Sequence, residues 1–98
     1  MKDKLISKIK ICIKEGQEYA AETVHLHDGE IPEFVMDAIA PPEDEGLNPL
    51  DVVTEYYCAG LFTTIWKLSE SLTQEDRIEI KNLITEEAGK IDMEIQLE

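Results

Sequence analysis

His25-Leu26-His27-Asp28 is the one run in this sequence whose residue types are those of metal ligands. Residues two apart on a helix point about 200° away from one another, so His25 and His27 would not share a zinc ion there. In an extended segment they would lie on one side, but the chain has no further histidine and both cysteines are distant. The expectation is two surface histidines near a helix C-terminus, where the macrodipole favours cations, and no metal. Asp28-Gly29-Glu30 and Glu43-Asp44-Glu45-Gly46 set carboxylates beside a glycine. A calcium loop needs oxygen ligands at alternate positions over about twelve residues and a closing glutamate. Neither segment has that order.

Catalytic signatures are missing as well: the chain has no glycine-rich phosphate loop, no G-x-S-x-G and no HExxH. Carboxylates such as Glu22 and Glu55 would work as an acid/base pair only if two helices brought them together in a cleft. Any acidic helical protein offers such pairs on a solvated face, so no enzyme activity and no cofactor is expected. Cys12 and Cys58 stand alone, without a CxxC spacing, and read as buried thiols and not as a disulfide. Tyr56, Tyr57, Phe62 and Trp66 are the only concentrated aromatic group. Helical spacing assigns Tyr57 and Phe62 to the core and leaves Tyr56 and Trp66 on its edges. Tyrosine and tryptophan beside carboxylates are the types that anchor interfaces.

Charge is the property that stands out. Twenty-two acidic residues face nine basic ones, for a net charge of −13. The first 14 residues hold Lys2, Lys4, Lys8, Lys10 and Lys14 against one aspartate, leaving −17 on the remaining 84. Between Lys14 and Lys67 lie 52 residues with no lysine or arginine and twelve carboxylates. A surface charged only for solubility mixes both signs. Excluding one sign over so long a stretch costs stability through self-repulsion, and points to a field that is used.

The elements that must position these groups are helical. Ninety-eight residues, 43% of them hydrophobic, make one folded domain over 1–98. Leu5, Cys12, Tyr19 and Leu26 recur every seven residues, with Ile6, Ile13 and Ala20 one place later, and predict a first helix over about 3–26. Gly16 either weakens its middle or admits a neighbouring helix closely, and His27-Asp28-Gly29 ends it. Ile31, Phe34, Val35, Ala38 and Ile39 predict the inward face of a short second helix, about Pro32 to Ala40, stopped by Pro41-Pro42. Asn48-Pro49 opens a third helix to about Ser71, with Leu50, Val53, Tyr57, Leu61, Thr64 and Leu68 on one face and Val52, Ala59, Phe62, Ile65 and Trp66 widening it. Thr73-Gln74-Glu75-Asp76 caps a fourth, whose stripe of Ile80, Leu83, Ile84, Ala88, Ile91 and Ile95 reaches nearly to the end. The expected fold is all-α, a single-domain four-helix bundle with one short helix.

No apolar run approaches the roughly 18 residues of a membrane span, and the lysine-rich start is broken by charges, unlike a secretory signal. The chain is expected to be cytoplasmic. A field this negative repels nucleic acid and anionic membrane, and attracts proteins whose grooves bind nucleic acid. In length, charge, helicity and its acidic middle the chain resembles small acidic helical immunity proteins, which protect bacteria from their own nuclease toxins. Phage-encoded inhibitors of nuclease defence systems are similar in size and charge. The resemblance implies a protein that neutralises a basic partner, a nuclease toxin or another nucleic-acid-binding protein. The expected binding surface is Glu30, Glu33, Asp37, Glu43, Asp44, Glu45, Asp51 and Glu55, with Tyr56 as anchor. The alternative is a self-associating structural or regulatory module, a homodimer in which the basic start of the first helix meets the acidic middle of another copy, with Ile11 at the contact.

Overall fold

The structure, a computed structural model, describes residues 1–39 and 48–97. Among these residues four helices follow one another: α1 (Lys2–Leu26), α2 (Glu33–Ile39), α3 (Pro49–Leu68), continued by a 3-10 turn over Ser69–Ser71, and α4 (Gln74–Gly89). The fold is all-α. Its start signals act as expected: the Asn48 side chain accepts from Leu50 N–H at 2.9 Å and Thr73 Oγ1 from Asp76 N–H at 3.2 Å, each satisfying a helix N–H that has no partner within the helix. At the end of α1, Asp28 and Gly29 turn left-handed, at φ 56° and 83°. Gly29 N–H returns to the Val24 carbonyl at 2.9 Å, which closes the helix. The Pro41-Pro42 stop and the loop after it lie outside the described residues.

The α1–α3 pair is the spine, and its core falls into two clusters. Leu5, Ile9 and Cys12 pack with Cys58, Phe62 and Ile65 and with Ile80, Ile84 and Ala88 of α4. At the other end Ala20 and Val24 pack with Val52 and Val53 and with Val35 of α2. Early α1 residues thus meet late α3 residues, so the two helices run antiparallel, with α4 covering one end and α2 the other. Lys2 pairs with Asp76 and Glu79 at 3.3 and 3.0 Å, which sets the start of α4 beside the start of α1. Arg77 lies 4.1 Å over the Trp66 ring and ties α4 to the end of α3.

Gly16 decides which faces meet. A β-carbon there would lie 3.0 Å from Cys58 Sγ, 3.2 Å from Tyr57 Cδ1 and 3.4 Å from Thr54 Cγ2. Of its two expected roles, close approach is the one found. The cysteines are the buried free thiols expected, with Cys58 Sγ 3.7 Å from the Cys12 carbonyl oxygen. Hydrogen bonding to Cys58, reinforced by burial, pushes the Cys12 thiol up.

Three expectations change. The buried face of α3 is Val52, Val53, Thr54, Cys58, Phe62 and Ile65, so the stripe is rotated by one position and Leu50 and Leu68 remain exposed. Contact at Gly16 pulls the 54/58 edge inward. Leu26 is 70% exposed, and Phe34 is 46% exposed because the buried Val35, with Pro32 just before the helix, is what seats α2 on the core. Finally, α4 ends at Gly89: Asp92 turns left-handed at φ 54° and Met93 N–H bonds the Ala88 carbonyl. Beyond it Ile91, Met93, Ile95 and Leu97 pack against the core while Asp92, Glu94 and Gln96 stay exposed. That alternation has a period of two, which a helix does not produce.

Candidate acidic binding surface

The nine residues expected to bind a partner separate into groups. Glu30 follows the left-handed turn after α1, and Glu33 and Asp37 stand one turn apart on α2; all three are exposed. Phe34 shares that outer face, and its ring meets Tyr56 of α3 edge to face at 5.8 Å. His27 in turn lies 6.3 Å from Phe34. Tyr56 is half-buried, held between its own helix and the Phe34 ring. The result is an aromatic ridge bordered by carboxylates.

Asp51 and Glu55 belong to a second feature. One helical turn apart on α3, they line a groove of about 590 Å³ with Gln17, Ala21, Lys90 and Asp92. Partial burial, then the charges of Asp51 and Asp92, raise the Glu55 carboxyl above its ordinary value. Because the folded state holds this proton more tightly, stability falls as pH rises from the ordinary carboxylate value through the raised one. Glu55→Gln should therefore be more stable than the parent at neutral pH, and equal to it below the carboxylate range. Urea unfolding at the two pH values measures the difference, and equal stabilities at neutral pH would count against it.

Glu43, Asp44 and Glu45 lie outside the described residues. None of the five described carboxylates has a cationic partner: among the described residues the ion pairs are Lys2 with Asp76 and Glu79, and Lys90 with the buried Glu87. Among the described residues no group of three or more His, Cys, Asp or Glu is placed to hold a metal. No helix among them is long and apolar enough to cross a membrane.

Sequence reasoning missed Phe34 as a surface residue and Asp92 as a neighbour of Glu55. The period-two pattern over 91–97 was a usable signal for the second. For Phe34 there was none, since a seven-residue helix with apolar residues at 34, 35, 36, 38 and 39 fits two inward faces equally. Comparison with protein families, with curated proteins and with solved structures found no match to this chain.

Proposed function

We propose that this chain binds and neutralises a basic protein, in the manner of an immunity protein or inhibitor directed against a nuclease. The observation that carries the reading is the Phe34–Tyr56 ridge, an aromatic pair left partly in water beside Glu30, Glu33 and Asp37, carboxylates with no cation of their own. A large ring exposed on a short helix adds little to the core, and at an interface it buries its area at small conformational cost. Unpaired carboxylates around it steer a cationic surface into encounter and, once there, meet lysines and arginines that otherwise hold phosphates. Blocking then follows either from occupying the phosphate positions or from covering a surface beside them.

The test uses the product of the gene beside this one, purified and assayed for nuclease activity under titration with the chain. Inhibition should weaken with added salt. Phe34→Ala should loosen binding by roughly thirtyfold, mostly through faster dissociation, while Glu33→Lys should chiefly slow association. Inhibition indifferent to salt, or a neighbouring product that the chain leaves fully active, would count against the proposal.

A further inference from the structure

The outer face of α1 carries a pattern that the fold does not use. Lys4, Ser7, Ile11, Lys14, Glu18, Ala21 and His25 follow one another at alternating spacings of three and four, and all are exposed. That spacing is a continuous seam on one side of a helix, opposite the buried Leu5, Ile9, Cys12, Gly16 and Ala20. Charge along it is segregated: Lys4, Lys8, Lys10 and Lys14 stand before the midpoint, Glu18 and Glu22 after it. Three pairs of like charge therefore sit one turn apart, Lys4 with Lys8, Lys10 with Lys14, and Glu18 with Glu22, each mildly destabilising within its own helix. Lys14 precedes Glu18, the weaker order for an ion pair within a helix. Among the described residues none of these side chains forms an ion pair, and Ile11, near the centre of the basic half, is 43% exposed.

A second copy laid antiparallel sets an opposite charge against one member of each of the three pairs. We infer that α1 is a self-complementary interface, pairing two-fold with α1 of another copy about an axis level with residue 16. In that register Lys14 opposes Glu18 of the second copy and Ile11 lies over its Ala21. Lys8 reaches Glu22 of the second copy along the same flank, and each contact occurs twice by symmetry. Four of the nine cations of this acidic chain, Lys4, Lys8, Lys10 and Lys14, stand exposed on the first half of α1, so it is a face where two copies can approach. At physiological ionic strength the Debye length is about 8 Å, which screens distant carboxylates more than charges in contact. With only Ile11 and Ala21 apolar at the centre, the dimer is weak and depends on its charge register. The Phe34–Tyr56 ridge lies on α2 and α3, outside the seam, and the inference stands without the proposed neutralising activity.

The deciding measurement is sedimentation equilibrium at physiological ionic strength, with far-UV circular dichroism to confirm that each variant is folded. The parent chain should pass from monomer to dimer as its concentration rises. Lys14→Glu and Glu18→Lys should each weaken the dimer about tenfold, since two symmetric attractions become repulsions. The double variant Lys14→Glu/Glu18→Lys should recover the parent affinity. An equimolar mixture of the two single variants should also associate, because each supplies the charge the other lacks. A parent chain that stays monomeric at every concentration, or a double variant no better than the singles, would overturn the inference.

Discussion

Replacing Phe62 by alanine is expected to lower the unfolding free energy by about 4 kcal/mol. The ring is fully buried and sits in the cluster that joins α1, α3 and α4. Its removal both forfeits the transfer of a phenyl group from water and leaves a void the three helices cannot close. A domain of this size has only about 5–15 kcal/mol to lose, so the variant should be partly unfolded at modest urea concentrations. Phe34→Ala serves as the internal control. That ring is 46% exposed and should cost no more than about 1 kcal/mol, in keeping with a mostly surface position. Urea unfolding followed by circular dichroism reads both. Equal losses from the two would show that the placement of these rings in the core and at the surface is wrong.

Gly16→Leu should be nearly as damaging, at about 3 kcal/mol. Leucine improves intrinsic helix propensity by nearly 1 kcal/mol over glycine, and in an exposed helix it would stabilise. Here even a β-carbon meets Cys58 Sγ at 3.0 Å and Tyr57 Cδ1 at 3.2 Å, and three further carbons have nowhere to go without separating α1 from α3. Overpacking outweighs propensity. Introducing leucine in place of Gly60, an exposed α3 glycine whose β-carbon position meets nothing within 4 Å apart from its own helix backbone, should stabilise slightly and isolates the packing effect. If Gly16→Leu unfolded at the same urea concentration as the parent, the close α1–α3 approach would be refuted.

Much of this architecture was legible in the residues because it depends on local rules. The start of α3 is set by Asn48 and Pro49, that of α4 by Thr73, and the end of α1 by Asp28-Gly29, each through hydrogen bonds within a few residues. The end of α4 differs for a related reason: isoleucines at 91 and 95 continue its helical spacing of three and four, while Met93 and Leu97 make them equally part of a period-two pattern. Packing against the core, with Asp92 turned left-handed, favours the second.

The His25–Asp28 run shows the same limit at the scale of a site. Its residues ruled out a shared metal on a helix, but that His27 would stand beside Phe34, and Phe34 beside Tyr56, required α2 to fold back over the α1–α3 spine. The existence of each helix, the caps at their starts and the exclusion of cations from 15–66 follow from residue type and near neighbours along the chain. Which face of each helix is buried depends instead on the packing of the helices against one another. Gly16 turned α3 by one position, Pro32 and Val35 turned Phe34 outward, and Asp92 came to Glu55 from 37 positions away. A helix with apolar residues on more than one side can bury several faces at similar gain, and the choice among them belongs to the shape of what it packs against.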